Sequence, residues 1–372
     1  VKGTGVGVLR LTTPSALILS SAIFIASLFS AQCLGAAGKP QSAATQVAAP
    51  QDSQLSAARA LLQEGHLDQA ESAVREFLKT HPDSADAHFL LGLILFRQTQ
   101  RASTPSDIYN DPSKAELEFR QQKARESLAE FTEGAKYRDP GAFDLKIVAL
   151  NYVLFGDYSN ADKWLTRSVS WDPRDVEAWY YLGRTKYNEN RFEEAIHAFQ
   201  QCLKLEPRNV KAQDNLGLSL VGLNRVPEAI AAFRAAIQWQ EKPEASSSGA
   251  QAEAVGSAAK LDVGPYIDLG NLFLDQNRME DALPVLLRAV EIAPDQSKSH
   301  ELLGKAYSLL GDLPKAQAEL EAAVRLSPRT AHLHFMLGQV YRRQGLTEKA
   351  KAEFDQMSKL NKNAQAAPPG KP

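Results

Sequence analysis

The sequence predicts an all-α solenoid made of about eight copies of one helix–turn–helix unit. Three observations carry that expectation. The first is a 34-residue period: Gly183 lies twelve places before Ala195, Pro207 follows twelve places later, and this spacing recurs along the chain. The second is that the stretch 176–209 reads as two amphipathic helices joined by a polar turn. The third is composition. With 44% hydrophobic and 23% charged residues the chain can bury a core, and a formal net charge of -2 with no Lys/Arg-rich block argues against nucleic acid as a partner.

In chain order, the first segment differs from the rest. Lys2 and Arg10 precede an apolar run from Ser15 to Ala31, and the small residues of CLGAAG follow it. Residues 1–35 therefore read as a secretory signal. Two alternatives stay open. Residues 14–32 are about long enough to serve as an uncleaved membrane tether, and Cys33 raises a lipoprotein, although Gln32 is bulky for a lipid-attachment box. The expected location is outside the cytoplasm, in the periplasm or cell envelope. GTGVG at Gly3 to Gly7 follows no strand and is not a phosphate loop. Residues 36–52 read as a flexible linker.

An array over 53–240 comes next. Its first copy, 51–84, places Ala58, Ala70 and Pro82 in frame. The second, 85–139, carries Gly92 and is interrupted by RASTPSDIYND; Pro112 then starts a long helix in which Ala124 and Leu128 restore the frame at positions 20 and 24. Copy 142–175 supplies Ala149, Tyr152, Ala161, Leu165 and Pro173; copy 176–209 supplies Trp179, Leu182, Gly183, Ala195, Phe199, Cys202 and Pro207; copy 210–240 supplies Leu216, Gly217, Ala229, Phe233 and Ala236. Residues 241–262, rich in Ala, Ser, Gly and Glu, cannot bury a core and read as a flexible insertion. A second array covers 263–362, with copies 263–296 (Tyr266, Gly270, Ala282, Pro294), 297–330 (Gly304, Ala316, Pro328) and 331–362 (Gly338, Ala350). Residues 363–372 read as a disordered tail.

Packing explains the spacing. Small residues at positions 8 and 20 let the two helices of a copy approach closely, and large ones at 4, 7, 11 and 24 fill the surrounding space. Position 27 meets the next copy and stays small, while proline at 32 ends the second helix. One copy cannot cover its own apolar face, but a stack can. Cys202, at position 27, reads as a small core hydrophobe; with Cys33 in the leading segment, neither a disulfide framework nor a zinc site is available.

This pattern resembles the tetratricopeptide repeat family, with its W-x2-L-G-x2-Y, A-x3-F and P residues. The resemblance implies a right-handed superhelix whose concave groove, lined by first helices, holds peptide or helical segments of other proteins. In the matching groove positions stand Tyr180, Arg184, Tyr187 and Asn188, then Lys211 and Asp214, then Asn271, Lys305 and Arg342. Tyr180, Arg184 and Tyr187 are the expected hot spot. Some relatives clamp a partner's terminal carboxylate with Lys and Asn at positions 5 and 9 of one copy and 6 of the next. Tyr180 and Arg184 at 5 and 9, before Asn215, do not reproduce that clamp.

No catalytic constellation is left once the repeats are subtracted. There is no H-E-x-x-H, G-x-S-x-G or G-x-x-x-x-G-K, and His332 and His334 point apart on a helix. The expectation is a non-enzymatic protein-binding scaffold with no metal and no cofactor. An envelope assembly factor held by its tether is the alternative, and a carbohydrate-binding protein or enzyme using the aromatic groove is a third reading. Oligomeric state is not legible from the sequence.

Overall fold

The computed structural model describes residues 50–101, 114–241 and 261–366. The leading segment 1–35, most of the linker, Pro112 and the insertion 242–260 lie outside the described residues. Apart from the last two residues of the final helix, all that is described belongs to one compact unit, 48–364.

Sixteen helices fill the described residues as eight hairpins. They are α1 (Pro50–Gln63) with α2 (Leu67–Thr80), α3 (Ala85–Arg101) with α4 (Lys114–Gly134), α5 (Ala142–Leu154) with α6 (Tyr158–Trp171), and α7 (Val176–Asn188) with α8 (Phe192–Leu205). Then follow α9 (Val210–Gly222) with α10 (Val226–Glu241), α11 (Gly264–Asp275) with α12 (Met279–Ile292), α13 (Ser297–Leu310) with α14 (Leu313–Leu326), and α15 (Ala331–Arg343) with α16 (Thr347–Ala366). No strand occurs among the described residues. Helix α1 begins inside the stretch read as a linker, and α16 runs on into the stretch read as a tail.

Each helix packs on the next, and first helices also touch one another: α7 meets α9, α9 meets α11, α11 meets α13. Second helices make no comparable series of contacts among the described residues. First helices therefore stand closer together, which curves the array and puts them on its inner face.

The turn between paired helices is sharper than sequence alone suggests. In seven of the eight copies the residue at position 15 has a left-handed backbone, and it is always Gly or Asn: Gly65, Gly156, Asn190, Asn224, Asn277, Gly311 and Gly345. Those two residue types tolerate that conformation best. In the other copy position 15 is Thr99, which still lies within α3. Side-chain caps reinforce several helix starts. Asp175 accepts the Ala178 N–H at 2.9 Å, and Asn209 does the same for Ala212 at 2.9 Å.

Close approach at position 8 is tight. A Cβ on Gly183 would stand 2.6 Å from the Phe199 ring, and one on Gly217 would stand 2.5 Å from the Phe233 ring. In the interrupted copy this contact corrects the frame. Gly92 faces Phe131 rather than Leu128, and Gly134 faces Phe89. Ser127 and Phe131, not Ala124 and Leu128, thus occupy positions 20 and 24. The cause is the broad buried face of α4, where Ala124, Ser127, Leu128 and Phe131 all leave solvent. Spaced at three and four residues, they permit two frames on paper.

Proline at position 32 sits two residues beyond the helix, as Pro207 does after α8 ends at Leu205. Its carbonyl has a further use. The side chain at position 4 of the next copy reaches it: Trp179 Nε1 donates to the Pro173 oxygen at 2.9 Å. His88, His300 and His334 place Nε2 at 2.9, 3.0 and 2.9 Å from the oxygens of Pro82, Pro294 and Pro328. Their Nδ1 atoms lie 2.7, 2.7 and 2.6 Å from Glu130, Glu319 and Glu353. These contacts stitch neighbouring copies together.

At His300 both ring nitrogens face acceptors, and the hydrogen bond to Glu319 raises its pKa above the ordinary 6.5 despite burial. A raised folded value means a stabilisation fully present below pH 6.5 and lost as pH rises through the raised value. His300→Ala is accordingly expected to lower the melting temperature more in mildly acidic than in mildly alkaline buffer. Equal losses in both would remove the stitch's charge from this account.

The core is continuous across the insertion. A single apolar cluster runs from Ile196 and Leu220 through Phe233, Phe273 and Leu286 to Leu303 and Ala306. Cys202 is fully buried, and burial pushes its thiol up to about 11, as expected for a packing residue. No described helix is long and apolar enough to cross a membrane.

Candidate functional site

The inner face carries the side chains that the first helices do not spend on packing. On α7, Tyr180 is half-buried, with its ring 6.2 Å from Phe199 and 5.4 Å from Tyr181. Arg184, one turn on and exposed, lies over that ring at 5.9 Å. Tyr187 packs edge-on against Phe192 at 5.6 Å. The bodies of both tyrosines therefore belong partly to the core, which sequence reasoning had not assigned them. Burial pushes both phenols up; for Tyr180 the Asp214 charge adds to this against the Arg184 cation, and for Tyr187 the Asp268 charge adds to it. Asn188 is exposed and donates to the Arg184 carbonyl at 2.9 Å.

On α9, Lys211 is exposed but Asp214 is buried. Asp214 is hydrogen-bonded to Asp268 of α11, and Asp262 stands beside both. Burial, followed by the neighbouring carboxylates, raises Asp214 far above the carboxylate range. Burial and Asp262 raise Asp268, while the hydrogen bond from Asp214 and the Lys298 charge oppose that rise. The pair thus holds a proton well above the pH at which a free carboxyl loses one. The Asp214 charge reaches Tyr180 and the Asp268 charge reaches Tyr187, so both carboxyl groups lie on the side of α9 and α11 towards α7.

The remaining candidates are spread along the face and occupied locally. Asn271 donates to Asp275 at 3.3 Å, and Lys305 pairs with the same Asp275 at 3.6 Å. Arg342 is exposed, bonds Gln339 and lies 5.9 Å over the Phe354 ring. They do not converge with Tyr180, Arg184 and Tyr187. Sequence reasoning missed two groups. Asp268 stands at position 6, outside the groove positions considered for that copy. Lys146 of α5 is buried at position 5 and ion-paired with Asp175 and Glu177 at 2.8 Å each. Glu177, near the start of α7, is thereby held by Lys146.

Among the described residues no group of three or more His, Cys, Asp or Glu could hold a metal ion.

Comparison with known proteins agrees with this geometry. Two family models described as tetratricopeptide repeat match the chain, one over residues 55–102, 182–246 and 301–364, the other over 263–296. No curated protein matches the sequence. Among solved structures, the chain is similar to MamA at 20% identity, covering 50% of this chain and 96% of that one with a TM-score of 0.40. It is similar to YrrB, described as a TPR protein with an unusual peptide-binding site, at 19% identity over 53% and 91% with a TM-score of 0.40. It is similar to a chain of the APC/C hetero-tetramer Cut9-Hcn1 at 16% identity, over 84% of this chain and 53% of that one, with a TM-score of 0.50. That last likeness extends the same fold over most of the array. The position-8 contacts, the left-handed turns and the family matches, which together span more than half of the sequence, lead to one conclusion: the chain belongs to the tetratricopeptide repeat family.

Proposed function

We propose that the protein is a non-enzymatic scaffold that holds a peptide or helical segment of a partner protein against the inner face, centred on α7, α9 and α11. One observation carries this reading: on α7 the exposed Arg184 lies over the half-buried Tyr180 ring, with half-buried Tyr187 on the same helix, so these side chains are not fully used in packing. Aromatic rings held by the core and an exposed arginine give large contact area at low entropic cost. The scaffold works in the cell envelope after export, a reading that the basic start and apolar run of residues 1–35 support. The length of that run also favours a second reading, an assembly factor that keeps the segment as its tether.

Affinity capture with the wild type and with a Tyr180→Ala/Arg184→Ala variant tests the site. The expected result is a partner protein recovered by the wild type and reduced by about ten-fold or more with the variant, as hot-spot truncation produces. Equal recovery by a folded variant would sink the inner-face reading. N-terminal sequencing of the mature protein separates the two locations: a start near residue 36 removes the tether.

A further inference from the structure

Position 24 is the deepest site of a copy. Leu165, Phe199, Phe233, Leu286 and Leu320 are each 0% exposed there, because the first helix of the following copy packs on the helix that carries them. Copy 176–209 shows the arrangement. The Tyr180 and Phe199 rings stand 6.2 Å apart, and Ala212 and Leu216 of α9 join the same cluster. The last copy repeats this tilted ring pair with Phe335 on α15 and Phe354 on α16, again 6.2 Å apart. Among the described residues no further helix follows to cover it. Phe335 is 40% exposed, and Phe354 is half-buried where every other position-24 side chain is buried.

Two neighbours of the ring pair differ as well. Position 27, one turn on, is Ser168, Cys202, Ala236, Ala289 or Ala323 in five copies that another copy follows, and each is fully buried. In the last copy it is Met357, half-buried, whose unbranched side chain can adapt to a guest. Arg342 lies 5.9 Å over the Phe354 ring and donates to Gln339; no carboxylate among the described residues pairs with it. We propose that this end of the array receives an amphipathic helix of a partner protein, lying as the first helix of a further copy would. A small residue and a leucine four places on would cover Phe335 and Phe354, and an acidic residue would meet Arg342, since a guanidinium losing water needs an acceptor. That spacing is the one by which Ala212 and Leu216 pack on Phe199. It recurs in buried Ala178 and Leu182 of α7 and in buried Ser299 and Leu303 of α13.

A second copy of this chain fits the end poorly. Joined head to tail, it would offer α1, whose exposed Gln54 and Ala57 stand at positions 4 and 7. Neither can fill the place of an aromatic ring or a leucine. Joined end to end, two copies would set one Arg342 against the other, and like charges across an interface repel. An acidic, leucine-bearing helix meets both requirements.

The test titrates the full chain, by calorimetry, with an N-acetylated, alanine-rich helix amide of about 18 residues, long enough to hold its shape. It carries alanine and leucine four places apart on one edge, with glutamates beside them. Two counterparts replace the glutamates by lysines or the leucine by alanine. The glutamate helix is expected to bind at least about ten-fold more tightly than either, with an advantage over lysine that shrinks in salt. Phe335→Ala should weaken it by about ten-fold or more. Arg342→Gln should remove the preference for glutamate over lysine, and circular dichroism checks that both variants fold. Undetectable binding, equal affinities for the three helices, or an affinity unchanged by Phe335→Ala would overturn the inference. So would a helix lost from the Tyr180→Ala/Arg184→Ala variant but kept by Phe335→Ala, which would place it on the inner face. Sedimentation of the chain alone completes the test: a dimer that Phe335→Ala dissociates would give this end to a second copy and overturn the inference likewise.

Discussion

Gly183→Leu is expected to lower stability by about 1–3 kcal/mol, the usual cost of forcing extra volume into a packed core. The added Cβ alone would lie 2.6 Å from a Phe199 ring that is fully buried. The ring cannot turn aside without displacing Ala195, Cys202 and Ala212, which share its cluster. α7 and α8 would therefore separate. In a stacked array, stability is close to a sum of unit and nearest-neighbour contributions, so the damage should concentrate in this hairpin. Urea melts should show an earlier midpoint, and amide exchange should quicken first across 176–205. A melt that overlays the parent would mean that the helices do not cross at Gly183.

Asp214→Asn is expected to do the opposite and stabilise the protein, increasingly so as pH rises. Asp214 has a folded pKa raised by burial and by Asp268 and Asp262. Below the unfolded value both states are protonated and the group contributes nothing. Above it, the unfolded chain ionises freely while the folded one resists, so stability falls by up to about 1.4 kcal/mol per pH unit until the folded pKa is reached. Asparagine has no such proton and keeps the shape. Thermal melts of the two proteins should converge in acid and separate through neutral pH, with the variant higher. If the variant is less stable at every pH, the buried carboxyl is already well satisfied in the folded chain and this account of its cost is wrong.

Most of the architecture was legible because it repeats. Gly183, Ala195 and Pro207 mean little singly, but their shared spacing with Gly270, Ala282 and Pro294 specifies a hairpin that must be stacked to bury its face. Where the repetition was interrupted, the frame became ambiguous: Ala124 and Leu128 are buried as the first-choice frame requires, and only the contact between Gly92 and Phe131 decides against it. The position-15 turn was visible only as a polar stretch, since its left-handed backbone is a property of geometry that Gly and Asn merely permit. The site was partly legible. Tyr180, Arg184 and Tyr187 follow from groove positions, yet the pairing of Asp214 with Asp268 joins copies separated by the 241–262 insertion, and spacing along the chain does not reveal it. His334 was considered only with His332, as a metal pair, and His88 and His300 were not singled out; the role of all three position-4 histidines depends on a carbonyl, and side-chain motifs carry no sign of one.

Cross-linking tests the central claim most directly. A photo-reactive amino acid is placed at position 184 on α7 and, separately, at position 200 on α8, both exposed, and each protein is irradiated with the captured partner. If the inner face holds the partner, position 184 gives the covalent adduct and position 200 does not. An adduct from position 200 with none from 184 would place the partner on the outer helices and contradict the account.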